Sequence, residues 1–173
     1  MKLYRSPYEA YPFLHESLSD LRCDFELATD GLANKIGMLR ALCQEANLIA
    51  DLETVGELVY HANPSLRMGV KILPTENEWL KERVLELEEL TKGRCHQYVL
   101  PQGKERGAWA HILRSESKDV VRLLYGHVHN GKTVEPLLFD FFNLLSGYFF
   151  FLAMHLNQLD QVEEIPFKSR HYK

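Results

Sequence analysis

The sequence has 173 residues, of which 46% are hydrophobic and 25% charged, and its 20 Lys and Arg against 24 Asp and Glu give a formal net charge of -4. A chain of this length buries enough surface on folding to need neither disulfides nor a structural metal. Its basic residues are scattered and lack the clustered positive charge that nucleic-acid binding requires, so that class of partner is set aside.

The cysteines and the apolar segments predict a cytoplasmic protein without a membrane partner. Cys23, Cys43 and Cys95 form an odd set without a CxxC pair, which is typical of reduced thiols. Charge and proline interrupt the first residues, where a secretory signal needs an apolar stretch. The most apolar run, Leu137 to Ala153, contains Asp140 and is shorter than the ~20 residues of a membrane span, so we expect a buried helix.

Two helices are predicted in the first part of the chain. Apolar residues recur there at three- and four-residue steps, which predicts a first helix from about Ser19 to Glu45. A shorter second helix is predicted over roughly Ile49 to His61, and Asn63-Pro64 ends it. The preceding residues, 1–18, show no such period, and we expect an irregular N-terminal segment.

A charged third helix is predicted next. It should begin after Pro74 with Thr75 as its N-cap, carry an apolar stripe, and end at Gly93. The strand signals are limited to short stretches such as Gln97 to Leu100, which lead into a loop.

Two long helices complete the prediction. The fourth should follow the loop Leu100–Gly107 and end at Gly126 and Asn130-Gly131. The fifth should run from about Pro136 to Leu159, because proline suits the first helical position. Beyond it we expect a flexible tail, residues 160–173.

A line of polar positions runs along the fifth predicted helix. Asp140, Asn143 and Gly147 recur at steps of three and four within otherwise apolar sequence. Buried polar groups need partners, so the line indicates either a satisfied network between helices or the wall of a ligand cavity. Both alternatives stay open.

These elements predict an all-α fold. Long helices joined by short connections, without credible alternating strands, are typical of an up-and-down helical bundle, here of about five helices. No repeat, low-complexity tract or linker divides residues 1–173, so we expect a single domain.

Four separated segments, taken in order, resemble the PduO-type ATP:cob(I)alamin adenosyltransferases. The resemblance covers roughly Leu21 to Asn157 and keeps the family's spacing between motifs. The matching segments are Leu21-Arg22-Cys23-Asp24 with Thr29-Asp30-Gly31-Leu32 and Ile36-Gly37, Asn77-Glu78-Trp79-Leu80, Tyr98-Val99-Leu100-Pro101-Gln102-Gly103 with Ala110-His111 and Arg114-Ser115, and Pro136 with Asn143-Leu144-Leu145-Ser146-Gly147-Tyr148.

The resemblance implies a transferase that assembles as a homotrimer. The family moves the 5'-deoxyadenosyl group of ATP to the cobalt of reduced cobalamin, and triphosphate leaves. An apolar, aromatic-lined pocket displaces the lower axial ligand of the corrinoid. The triphosphate is held by Mg²⁺, basic side chains and main-chain N–H groups. The implied ligands are therefore ATP, Mg²⁺ and cobalamin.

The resemblance also assigns candidate site residues. Tyr98 stands where the family has the Phe that closes the lower face of the corrin. Arg114 matches the Arg that contacts ATP and pairs with an Asp of the neighbouring subunit, and Asp30 matches that Asp. Asn143 matches an Asn near the nucleotide.

Lys118 and Arg122 are the remaining residues predicted to lie on the nucleotide side of the site. They flank two positions at which the sequence departs from the family pattern. Asp119 replaces an Arg and Val121 replaces a Glu, which removes phosphate and metal contacts together. The N-terminal phosphate loop, of form TKTGDxG, is also missing. These losses would weaken the binding of ATP more than the binding of the corrinoid.

Other groups lie near enough in sequence to compensate. Lys2, Arg5, Lys104 and Arg106 are candidate cations, and Gly103 and Gly107 leave main-chain N–H groups open at the start of the fourth helix, where anions commonly bind. The sequence leaves both alternatives open, that these groups replace the lost phosphate contacts and that they do not.

Two other functions are considered. A non-catalytic relative that binds a corrinoid or another ligand, or serves as an oligomeric partner, is favoured by the missing phosphate loop. A four-carboxylate di-iron bundle is disfavoured, because no paired ExxH motifs occur. His127, His129 and the Cys95-His96 pair lack the spacing of a metal site, so we predict surface loop histidines and no protein-bound metal.

Overall fold

The computed structural model describes residues 3–94 and 98–171, and Cys95, His96 and Gln97 lie outside it. Six helices form within these ranges, and their order confirms the predicted all-α bundle. One of them, α3, is only four residues long and was not predicted. The helices are α1 (Leu21–Leu42), α2 (Ala46–Ala62), α3 (Ser65–Met68), α4 (Pro74–Leu90), α5 (Glu105–His129) and α6 (Pro136–Leu159).

The start of α4 differs from the prediction. Leu73 is the N-cap, Pro74 occupies the first helical position, and the Glu76 carboxylate accepts a hydrogen bond from the Leu73 N–H at 2.7 Å. Thr75 was therefore wrongly predicted as the cap. Proline removes an N–H that would lack a partner in the first turn, and Glu76 satisfies another.

The end of α5 also differs, because the helix continues through Gly126 to His129. A Cβ at Gly126 would lie 2.8 Å from Leu21 Cδ1, so this glycine permits close approach of α1 to α5. The helix ends at Asn130, before Gly131 at φ 76°. His127 is consequently helical and buried, and its predicted place in a surface loop was wrong.

The helices pack in the order α2, α1, α5, α6, α4. α5 runs antiparallel to α1 and to α6: Gly126 lies beside Leu21, and Gly107 lies beside Asn157. α4 runs parallel to α6, since Val84 lies against Gly147 and Arg94, just past α4, reaches the Val162 carbonyl just past α6. The long helices therefore alternate in direction along the chain, whereas α4 and α6, which are neighbours in the packing, run parallel.

Helix α6 forms the centre of the core. Among the described residues it alone is long and apolar enough to cross a membrane by length and composition. Half of its side chains are nevertheless buried against α5 and α4, among them Phe141, Phe142 and Phe149. In this bundle α6 acts as the core helix that the sequence predicted.

The irregular N-terminal segment is held by one arginine. Arg67 of α3 donates two hydrogen bonds to the Glu16 carboxylate and a third, at 2.6 Å, to Glu26 of α1. Its guanidinium also lies 3.7 Å from the centroid of the Phe13 ring, and Tyr11 Oη donates to Glu26. Residues 11–26 are thereby fixed against the α1–α3 side of the bundle.

Candidate active site

Three basic side chains form a stripe along the middle of α5, and we call Arg114, Lys118 and Arg122 the basic stripe. They recur every fourth residue, so they lie on one side of the helix with backbone positions about 6 Å apart. Lys118 and Arg122 are exposed, whereas Arg114 is partly buried. No ion pair joins any of the three to a carboxylate of the described residues, and the stripe therefore presents uncompensated positive charge.

Arg114 lies in an apolar setting. Its Nε is buried without a hydrogen-bond acceptor, and its guanidinium carbon is 5.9 Å from the centroid of the Phe150 ring. Burial lowers the pKa of Arg114 from its ordinary value, although arginine stays charged at neutral pH. A partly desolvated cation of this kind is poised to bind an anion.

His111, one turn before Arg114, was not predicted as a site residue. It is buried, and both of its ring nitrogens lack a partner among the described residues. Burial, followed by the charge of Arg114, lowers the pKa of His111 to about 4. The ring is therefore neutral at pH 7 and adds no charge beside Arg114.

The carboxylates around the stripe do not provide a Mg²⁺ site. Glu116 is paired with Lys35 of α1, and Asp119 is exposed. Val121, at a position where the resemblance implies a Glu, packs its side chain into the hydrophobic core. Mg²⁺ is held in proteins by one or two carboxylates together with substrate phosphates, and a core valine cannot serve as a ligand. This position does not fit the implied metal.

Asp30 lies on an exposed part of α1. It accepts hydrogen bonds from Tyr60 Oη of α2 at 3.0 Å and from Asn34 Nδ2 at 3.4 Å. No ion pair joins it to Arg114 within the chain, so the fold does not bring these two predicted partners together in one protomer.

Asn143 is also exposed, and its Nδ2 donates to the Phe139 carbonyl one turn earlier at 2.8 Å. Asp140 is exposed as well, and Gly147 faces Val84. The polar line of α6 is therefore not a buried network between helices of one protomer. Asn143 is left at the surface, where a ligand or a second subunit can reach it.

Tyr98 stands on a short two-stranded ribbon. Val99 forms a single antiparallel bridge with Pro166. The strand was predicted from Gln97 to Leu100, and of this range Gln97 lies outside the described residues. Because side chains alternate along extended backbone, the face opposite Val99 carries Tyr98, Leu100, Ile165 and Phe167. All four are exposed, Tyr98 by 72%. The ribbon thus offers an apolar surface beside Tyr98.

At the start of α5, one of the places where compensation was left open, Asn157 occupies the space beside the two glycines and Arg106 is neutralised. A Cβ at Gly103 or Gly107 would lie 2.2 or 2.3 Å from Asn157 Oδ1, so these glycines make room for Asn157. Arg106 pairs with Glu45 and Asp160, both at 2.8 Å.

Of the other two suggested cations, one is paired and one lies outside the described residues. Arg5 pairs with Glu9 through an exposed side chain, and Lys2 lies outside the described residues. Of the four suggested compensating cations, Lys104 remains exposed and without an ion pair among the described residues.

The comparisons with known proteins agree with this architecture. The model of the cobalamin adenosyltransferase family matches residues 18–156. Two structures of the PduO-type ATP:corrinoid adenosyltransferase from Lactobacillus reuteri, complexed with cobalamin and ATP, superpose with a TM-score of 0.78 at 21% identity. They are a Phe-to-Ala variant, for which 87% of each chain is covered, and a Phe-to-His variant, for which 89% of this chain and 86% of that one are covered.

An Arg-to-Lys variant of the same enzyme, complexed with ATP, gives a TM-score of 0.75 at 21% identity over 86% of this chain and 88% of that one. No curated protein matches the sequence. The resemblance seen in the motifs is confirmed by the family match, which spans most of the chain and supports a transferase. The chain belongs to the cobalamin adenosyltransferase family.

Proposed function

We propose that the protein transfers the 5'-deoxyadenosyl group of ATP to the cobalt of reduced cobalamin, at an interface between subunits. The observation that carries the proposal is the basic stripe, with Arg114 partly buried and unpaired. A stripe of three cations spanning about 12 Å can make charge-assisted hydrogen bonds to several oxygens of a triphosphate. The L. reuteri structures, which hold cobalamin and ATP, support the assignment of both substrates.

The reaction explains why the cations are needed. Co(I) attacks C5' of ATP with its electron pair, a Co–C bond forms, the C5'–O bond breaks, and the bond electrons leave with triphosphate. Cobalt is thereby oxidised from Co(I) to Co(III). Negative charge grows on the leaving oxygen, and preorganised cations such as Arg114, Lys118 and Arg122 stabilise that charge most as the bond breaks.

The remaining predicted residues take the other sides of the site. Tyr98 and the apolar face around it would contact the lower face of the corrin, which disfavours a polar axial ligand there. Asn143 would lie beside the nucleotide. Mg²⁺ would bind together with the triphosphate oxygens, and Val121 would not serve as one of its ligands.

Two charges without an ion pair support the proposed subunit arrangement. Asp30 is exposed and carries no cation among the described residues, and Arg114 carries no carboxylate, so each is free for the other across an interface. We infer a homotrimer in which Asp30 of one protomer pairs with Arg114 of the next, as the family resemblance implies.

A cytoplasmic location is part of the proposal. Cys23 and Cys43 are free and buried, and burial raises the pKa of both thiols. Buried thiols that form no disulfide suit a reducing compartment, which also favours the reduced cobalt that the reaction consumes.

A non-catalytic relative that binds a corrinoid is the second candidate, favoured by Val121 in the core and by the neutralised start of α5. The two are separated by a turnover assay with ATP, Mg²⁺ and chemically reduced cobalamin, which follows Co–C bond formation by absorbance and triphosphate release in the same sample. We expect both products in a 1:1 ratio. Corrinoid binding without either product would select the non-catalytic relative.

The same assay tests the basic stripe through a matched pair of variants. Arg114→Ala should lower kcat/KM by about 10- to 100-fold, the value of one charge-assisted hydrogen bond of ~1.5–3 kcal/mol. Lys104→Ala removes the same charge from the start of α5 and should change kcat/KM by less than about twofold. Equal losses in the two variants would contradict the role of the stripe.

A further inference from the structure

The chain after α6 is held along the loop that carries Tyr98. We call residues 162–167 the C-terminal strap and residues 98–102 the Tyr98 loop. The Phe167 N–H donates to the Tyr98 carbonyl at 2.6 Å, and the Leu100 N–H donates to the Ile165 carbonyl at 2.9 Å. Gln102 Nε2 adds a bond to the Glu163 carbonyl at 2.9 Å. Backbone bonds thus fix the register between the strap and the loop.

A buried polar group locks the strap in place. Glu164 has a side chain only 5% exposed, and its carboxylate accepts from Arg94 Nη2 and from Asn157 Nδ2, both at 3.2 Å. Arg94 also donates to the Val162 carbonyl. A buried carboxylate is costly unless it is paired, so Glu164 keeps its place only while Arg94 and Asn157 hold it.

Asn157 connects this lock to the start of α5. The side chain is fully buried, and its Nδ2 also donates to the Gln102 carbonyl at 3.0 Å. Its Oδ1 fills the hollow left by Gly103 and Gly107. One amide therefore contacts α5, the end of the Tyr98 loop and the strap together.

We propose that the C-terminal strap, locked by Arg94, Asn157 and Glu164, is a positioning element that holds Tyr98 for the corrinoid. The inference rests on the proposed function, which assigns Tyr98 to the corrin side. The nucleotide side should be independent of the strap, because Arg114 lies seven residues, or about 10 Å along α5, beyond Gly107, and Arg122 lies about 22 Å beyond it.

The first test uses adjacent glutamates. Glu164→Gln removes the charge that Arg94 and Asn157 hold, whereas Glu163→Gln makes the same change on an exposed side chain with no described contact. We expect Glu164→Gln to raise the Kd for cob(II)alamin, followed by absorbance, about tenfold. Glu163→Gln should leave it within about twofold, and the Kd for MgATP, measured by calorimetry, should stay within about twofold in both variants.

A second test uses truncations, which do not depend on one side chain. A chain ending at Phe167 keeps every strap contact described above, and a chain ending at Gln161 loses them all. Only the shorter chain should lose hydrogen-exchange protection at the Leu100 amide and bind cob(II)alamin about tenfold more weakly.

The outcomes separate this inference from the proposed function. Wild-type protein that binds no cob(II)alamin would overturn both. Wild-type binding with equal affinities in Glu164→Gln and Glu163→Gln would overturn the strap alone. Equal weakening of cob(II)alamin and MgATP in Glu164→Gln would also overturn it, since that result means general destabilisation and not positioning of Tyr98.

Discussion

The first turn and the middle of α5 each carry a partly buried arginine, but only the arginine in the first turn has carboxylate partners among the described residues. Arg106 in the first turn has a side chain only 13% exposed, and it makes hydrogen bonds to Glu45 of the α1–α2 connection and to Asp160 after α6. Arg114, two turns later, is partly buried with no carboxylate partner in the described chain and with Nε lacking any acceptor.

The difference separates a cation that is neutralised within the fold from one that is not. Removing a cation from water costs free energy, and at Arg106 two carboxylates offset that cost. At Arg114 the described residues offer no such compensation, and under the proposed function its charge binds an anion from outside the protomer, such as a phosphate or Asp30 of another subunit.

The largest expected effect comes from breaking the paired region. Arg106→Ala leaves the Glu45 and Asp160 carboxylates without their cation and should lower the free energy of unfolding by about 3 kcal/mol. Lys104→Ala, two residues earlier and exposed, should change it by less than about 0.5 kcal/mol. Urea unfolding at pH 7 measures both, and a loss in Arg106→Ala no larger than that in Lys104→Ala would refute the structural assignment.

A pH titration probes the apolar setting of Arg114 through its neighbour. The pKa of His111 is lowered in the folded state to about 4, so between pH 6.5 and pH 4 the unfolded chain binds more protons. The stability that neutral His111 provides is therefore present above pH 6.5 and is lost as the pH falls, by about 1.5 kcal/mol between pH 6.5 and 5. His111→Leu should lose this component of the slope.

His127 and His155 also have lowered pKa values from burial, and they contribute equally to wild type and variant. The difference between the two stability curves thus reports His111. Parallel curves across this pH range would show that the ring is not buried beside Arg114 as described.

The smallest expected effect on the free energy of unfolding concerns the Tyr148 hydroxyl, which is unpaired but, unlike Arg114, fully buried. Tyr148 is fully buried, its hydroxyl has no partner among the described residues, and burial raises its pKa. An unsatisfied buried hydroxyl only costs free energy, so Tyr148→Phe should raise the free energy of unfolding by about 1 kcal/mol. Thermal unfolding measures the change, and a clear drop in Tm would indicate that the hydroxyl has a partner.

Local sequence signals predicted the five long helices and singled out candidate site residues. The apolar period and Pro136 predicted α6 correctly, and Arg114 and Tyr98 could be singled out because they lie within recognisable motifs. Gly126 misled the prediction, because its role is to admit Leu21 from another helix. A glycine that ends a helix and one that permits close packing look alike in a single sequence.

The candidate anion site at the start of α5 could not be decided from the sequence for the same reason. Arg106 is neutralised by residues 61 and 54 positions away, and Gly103 and Gly107 are occupied by the distant Asn157. The strap on the Tyr98 loop likewise joins segments more than 60 residues apart. Such contacts are set by packing order, which helical periodicity does not specify.

The most direct measurement of the basic stripe is a calorimetric titration of MgATP into wild type, Arg114→Ala, the Lys118→Ala/Arg122→Ala double variant and Lys104→Ala, at two salt concentrations. We predict that Arg114→Ala and the double variant each weaken binding at least about tenfold, that Lys104→Ala binds like wild type, and that wild-type affinity falls with salt. Binding of the same strength in all four proteins, or none in wild type, would contradict the account.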